Sequence, residues 1–134
     1  MKVVICGSLK FASEMKDLKH KLEERGHAVQ MPVEMDNTNY EKKSPEQGIS
    51  NILSHDLIRK HYRKIVDGDA VLIVNISKNG IENYIGGNTF LEMGFAHVNH
   101  KKIFVLNPLP AGLNYYEEMA GMQPVVINGD VDLI

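Results

Sequence analysis

The segment Tyr84-Ile85-Gly86-Gly87-Asn88-Thr89-Phe90-Leu91-Glu92-Met93-Gly94-Phe95-Ala96 joins a glycine pair to a carboxylate near the start of an apolar helix. Gly86 and Gly87 let the backbone approach a ligand closely at a helix N-terminus, where unpaired N–H groups favour anions. With Asn88 they form a candidate binding turn, and Glu92 could act on a sugar or a phosphate ester held there. A second reading needs no ligand. Thr89-Phe90-Leu91-Glu92 also fits a capping box, in which Glu92 reaches back to the Thr89 N–H and contributes on the order of 1 kcal/mol. Asp69, just before the apolar run 70–75, is a candidate partner for Glu92. Two carboxylates are the usual minimum for breaking a glycosidic bond, one attacking the anomeric carbon and the other assisting. Asp69 equally suits a turn closed with Asp67-Gly68.

Gly7-Ser8-Leu9-Lys10 follows the first apolar run and leads towards a helix. Its backbone N–H groups, the Ser8 hydroxyl and the Lys10 ammonium could hold a phosphate. It lacks the ending of a Walker A loop and the glycines of a dinucleotide fingerprint. Asn107, after another apolar run, is a further candidate at the same edge. The six histidines, at 20, 27, 55, 61, 97 and 100, form no metal set; a metal site is not expected. Cys6 ends a buried run with no evident base beside it, which suits a packed thiol better than a nucleophile.

The elements that must position these groups are legible in outline. Runs at 2–6, 28–31, 69–75, 103–106 and 125–127 read as strands, each a continuous apolar stretch. Between them, Phe11, Met15, Leu18 and Leu22 recur at helical spacing, with Ser13 as the expected cap and Gly26 as the stop. Residues 49–66 read as one helix whose apolar stripe changes side: Ile58, Tyr62, Ile65 and Val66 share one face, Ile49, Ile52 and Leu53 the other. The second stripe is weak support for a homodimer contact. Residues 34–48 read as a long polar loop, either a lid or a surface excursion. Residues 113–122 read as a short helix. Alternating strands and helices predict a doubly wound five-stranded parallel sheet of order 2-1-3-4-5, a flavodoxin-like or Rossmann-like three-layer sandwich. The ends of strands one, three and four then converge on one crevice.

Composition narrows the class. A chain of 134 residues with 43% apolar and 24% charged residues suits one globular domain spanning 1–134. A net charge of −2 gives no electrostatic reason to expect nucleic acid or an anionic membrane as partner. A lone cysteine and no run long enough to span a bilayer favour a cytoplasmic setting.

Three stretches carry a resemblance to the nucleoside 2-deoxyribosyltransferase superfamily, closest to its 2′-deoxynucleoside 5′-phosphate N-glycosidase branch. Cys6-Gly7-Ser8 resembles the phosphate-side loop, with Lys10 where an arginine is common. Asp69-Ala70-Val71 resembles the strand whose acid meets the sugar. Residues 89–96 resemble the segment carrying the nucleophilic glutamate. The resemblance implies a five-stranded α/β domain, often dimeric, that cleaves the bond between sugar and base without a cofactor. Glu92 would attack C1′, and Asp69 would orient the sugar or assist proton transfer. Gly7, Ser8, Lys10, Gly86, Gly87, Asn88 and Asn107 would hold the 5′ end of a nucleoside or nucleotide. Two positions depart from the family pattern. A first-strand tyrosine is replaced by Val4 or a neighbour, and Gly86 stands about where transferases often carry an acid, which favours hydrolysis over base exchange. The alternative expectation is a non-catalytic nucleotide sensor on the same fold; a purely structural dimer module is a third.

Overall fold

The computed structural model describes residues 1–32 and 44–134. Five parallel strands form one sheet of order β2-β1-β3-β4-β5: β1 (Lys2–Gly7), β2 (Ala28–Gln30), β3 (Ala70–Val74), β4 (Lys102–Val105) and β5 (Val125–Val126). This is the expected order. The central register pairs Val3 with Ala70, Ile5 with Leu72 and Gly7 with Val74. Because successive side chains alternate faces, β1 sends Val3 and Ile5 to one core and Val4 and Cys6 to the other. Helix α1 (Ala12–Glu24) covers the first with Met15, Leu18 and Leu22. Helices α3 (Leu57–Asp67), α4 (Gly87–Val98) and α5 (Tyr116–Gly121) cover the second with Ile65, Met93, Ala96 and Met119. A sheet buried on both faces explains why β3 is apolar throughout. No helix among the described residues is long and apolar enough to cross a membrane.

Several boundaries differ from expectation for identifiable reasons. Ser13 does not cap α1. A short 3-10 turn, Leu9–Phe11, intervenes, and it is Ser8 whose Oγ accepts the Lys10 N–H at 3.3 Å. The 34–48 loop, read as either a lid or a surface excursion, lies largely outside the described residues. Its last part is helical: α2 (Pro45–His55) starts at Ser44, whose Oγ accepts the Gln47 N–H at 3.1 Å, with Pro45 in the first turn. The expected single helix over 49–66 is two helices. Asp56 stands between α2 and α3 in the left-handed region at φ 50, which ends one helix and re-phases the next. The stripe that changed side is therefore two stripes on two helices. Ile49 and Ile52 of α2 line a cavity, and α3 buries Leu57, His61 and Ile65.

Gly7 ends β1 where the chain runs tightly against β3. A Cβ there would stand 3.2 Å from both the Cβ and the carbonyl oxygen of Val74, and 3.3 Å from Met15 Sδ. A larger residue would push the first loop off the sheet edge. Across that edge, the ends of β3 and β4 are clipped by an asparagine pair. Asn75 Oδ1 accepts the Asn107 N–H at 2.9 Å, Asn75 Nδ2 donates to the Asn107 carbonyl at 2.9 Å, and Asn107 Nδ2 donates to the Asn75 carbonyl at 2.9 Å.

Candidate active site

Glu92 is buried, with 3% of its surface exposed, on the face of α4 that packs against α3 and the sheet. The expected capping box does not form. Helix α4 begins at Gly87, two residues before Thr89, with Gly86 at the cap position and Phe90 N–H closing the first turn on the Gly86 carbonyl at 2.9 Å. Thr89 and Glu92 thus lie inside the helix, and the carboxylate is held by side chains instead. Oε1 accepts Nδ1 of His61 at 2.8 Å and Nδ2 of Asn88 at 3.1 Å. The Cys6 thiol approaches from β1. Burial, then the charge of Glu92, then a hydrogen bond to that carboxylate push its pKa well above the ordinary thiol value. Cys6 is therefore a protonated, packed thiol that supports Glu92 rather than a nucleophile.

Two cavities meet at this cluster, and His61, Asn88 and Leu9 line both. The first, of about 460 Å³, is mainly apolar, walled by Ile49, Ile52, Leu57 and Ile58. The second, of about 340 Å³, is polar. Ser8, Lys78 and Tyr84 line it together with Gly7 and the α4 start, Gly86 to Thr89. In it Lys78 Nζ donates to Ser8 Oγ at 3.2 Å. The N–H groups of Gly87, Asn88 and Thr89 precede the first intrahelical bond, and nothing stands within 4 Å of the position a Gly87 Cβ would take. An ammonium, a hydroxyl and a helix N-terminus around one polar cavity can bind an oxyanion.

The structure brings together Gly7, Ser8, Gly86, Gly87 and Asn88 in the polar cavity, with Glu92 immediately behind Asn88 and His61. Three expected members are elsewhere. Asp69 lies at the start of β3, hence at the opposite edge of the sheet from the strand ends that form the cavity. It is exposed there, and its Oδ2 accepts the Lys2 N–H at 2.7 Å. It cannot pair with Glu92. The Lys10 side chain is exposed and lines neither cavity; among the described residues the lysine lining the polar cavity is Lys78. Asn107 is committed to the clip with Asn75.

The two residues that sequence reasoning missed each left a signal. Leu57, His61 and Ile65 repeat every four residues and form the buried stripe of α3, so a polar group at 61 sits on a core face. An apolar-only stripe of Ile58, Tyr62, Ile65 and Val66 passes over it, because the buried face of α3 includes this one polar residue. Lys78 flanks Asn79-Gly80, the dipeptide of a tight reversal; both have positive φ, and Lys78 and Ile81 exchange backbone bonds at 3.1 and 3.0 Å. That turn folds the loop back so that Lys78 faces Ser8.

Solved structures with this fold include a CMP N-glycosidase from Clostridium botulinum, 17% identical over 94% of this chain and 85% of that one, with a TM-score of 0.55. A 2-deoxyribosyltransferase from the psychrotolerant bacterium Bacillus psychrosaccharolyticus is 17% identical over 94% and 98%, with a TM-score of 0.56. A conserved protein from Enterococcus faecalis V583 is 12% identical over 99% and 94%, with a TM-score of 0.58. No protein-family model matches the sequence, and no curated protein matches it. What is shared with the solved structures is the fold.

Proposed function

We propose that this protein cleaves the N-glycosidic bond of a nucleoside or nucleoside 5′-monophosphate, with Glu92 as the nucleophile and water as the usual acceptor. The observation that carries this is the placement of Glu92 behind the seam between an apolar and a polar cavity. A nucleotide has the same division. Its flat base suits the chamber of Ile49, Ile52, Leu57 and Ile58, and its 5′ end suits Ser8, Lys78 and the α4 N-terminus. The bond between base and sugar then falls at the seam, where C1′ meets the carboxylate. Glu92 attacks C1′ as the C1′–N bond breaks, giving a glycosyl ester and the free base; water then attacks C1′ and releases the carboxylate. Burial of Glu92 favours this chemistry because its Oε1 is held by fixed donors rather than by bulk water. The enzymes named above, a CMP N-glycosidase and a 2-deoxyribosyltransferase, act on glycosidic bonds of this kind and support the assignment through a shared fold.

The decisive experiment is incubation with a panel of nucleosides and their 5′-monophosphates, with free base resolved by chromatography. Base is expected from at least one 5′-monophosphate. One observation favours a second reading: Glu92 has His61, Asn88 and Cys6 as side-chain partners, as a structural carboxylate would. In that case the protein is a nucleotide sensor, and the panel gives thermal stabilisation with no base released.

A further inference from the structure

We propose that the substrate is a ribonucleotide rather than a 2′-deoxyribonucleotide, because Asn88 reads the 2′-hydroxyl of the sugar while it holds Glu92. This rests on Glu92 attacking C1′ as set out above. It departs from the 2′-deoxynucleotide that the sequence resemblance implies.

The stereochemistry of the attack decides what stands next to Asn88. Displacing the base in line brings the carboxylate to the face of the sugar ring opposite the base. In a β-ribonucleotide that face also carries the 2′-hydroxyl, on the carbon next to C1′. A 2′-deoxyribonucleotide has only hydrogen there. A side chain that touches the attacking carboxylate from the cavity side therefore stands beside the 2′ position. Asn88 is such a side chain: it is exposed, it lines both cavities, and its Nδ2 lies 3.1 Å from Glu92 Oε1.

The amide has one orientation in this pair. Asn88 and Glu92 are four residues apart in α4, so they share a face one turn apart. An ionised carboxylate only accepts hydrogen bonds, so Nδ2 must face Glu92 and Oδ1 is turned away from it. Among the described residues no donor meets Oδ1. An amide oxygen accepts, and a sugar hydroxyl donates to it. The 2′-hydroxyl on Oδ1 and Nδ2 on the carboxylate then form one chain from sugar to nucleophile. As C1′ gains positive charge in the transition state, the neighbouring hydroxyl becomes a better donor, so the contact tightens where it speeds the reaction. The Asn88 backbone N–H is a separate matter. It precedes the first intrahelical bond and stays at the polar cavity when the side chain is cut back.

The test compares Asn88→Ala and Asn88→Asp with the wild type on three substrates. They are the ribonucleoside 5′-monophosphate cleaved fastest and its 2′-deoxy and 3′-deoxy counterparts, with kcat/KM read from chromatography of free base. A 2′-deoxy glycosidic bond breaks more readily by itself, so the readout is a variant's loss on one substrate divided by its loss on another. Both losses come from one preparation, so any misfolded fraction cancels. For Asn88→Ala, the loss on the ribonucleotide and on the 3′-deoxy substrate should exceed the loss on the 2′-deoxy substrate by about 10- to 100-fold. Asn88→Asp keeps an oxygen for the 2′-hydroxyl but offers Glu92 no N–H, so it should slow all three substrates alike, within about threefold of one another. Equal losses for Asn88→Ala on the ribose and 2′-deoxyribose substrates overturn the proposal and leave Glu92 in place. So does a selective loss in Asn88→Asp matching that in Asn88→Ala, or a wild type that cleaves only the 2′-deoxy substrate. A wild type that releases no base from any nucleotide overturns the glycosidase assignment and this proposal together.

Discussion

The two edges of the sheet each carry an acidic residue that the sequence makes a catalytic candidate, and they treat it in opposite ways. At the edge where the strands begin, Asp69 is exposed and accepts one backbone N–H, that of Lys2. At the edge where they end, Glu92 is buried under two cavities and held by His61 and Asn88. A parallel sheet makes this division unavoidable. All strands point one way, so a residue just before a strand and a residue just after one are separated by the strand's whole length, and ligands gather at the C-terminal side. The acid preceding β3 is exposed at the start of the strands, and the acid in the helix following β3 is buried beside the cavities at their ends.

The largest way to break this comparison is to neutralise each acid in turn. Glu92→Gln should lower base release by about 10³-fold or more, measured by chromatography, because the amide cannot form the glycosyl ester. Next is the cation of the polar cavity. Lys78→Ala should raise KM for 5′-monophosphates about 10- to 100-fold, the equivalent of a charged hydrogen bond, and leave unphosphorylated nucleosides unaffected. Lys10→Ala should leave KM for both kinds of substrate unchanged. A third substitution separates fold from site at the working edge. Asn75→Ala removes the side-chain partners of the Asn107 N–H and carbonyl and should cost about 1–3 kcal/mol in urea unfolding, with KM unchanged. The smallest effect is at the other edge. Asp69→Asn should leave turnover within about twofold of wild type and cost about 1 kcal/mol of stability or less. A turnover defect at Asp69 comparable to that at Glu92 would erase the distinction between the edges.

How much of this was legible in the sequence follows from which features are local. Strand order came from continuous apolar runs alternating with helical spacing, and Ser8, the Gly86-Gly87 pair and Glu92 were found because strand-loop-helix junctions announce themselves. The pairing of Glu92 was not legible. Its partner, His61, lies 31 residues away, on a helix whose phase is set by the left-handed Asp56. Grouping apolar residues alone puts Ile58, Tyr62, Ile65 and Val66 on one face; Ile65 is buried, the other three are exposed, and the buried stripe runs through the polar His61 instead. Ser44-Pro45 was read as loop, although a serine followed by proline is a helix start. The Thr89–Glu92 box failed for the opposite reason. Its local pattern was sound, but the helix starts earlier, at a glycine, and tertiary donors won the carboxylate.

The most direct measurement is to find where the sugar goes. Wild-type protein would be treated with the 2′-fluoro-arabinosyl analogue of its best 5′-monophosphate, which slows hydrolysis of a glycosyl ester, then quenched, digested and mapped by mass spectrometry. The expected result is one sugar phosphate per chain on the peptide containing Glu92, with one equivalent of base released. Label on a different residue, or continued release of base from the analogue with no label anywhere, would contradict a nucleophilic Glu92.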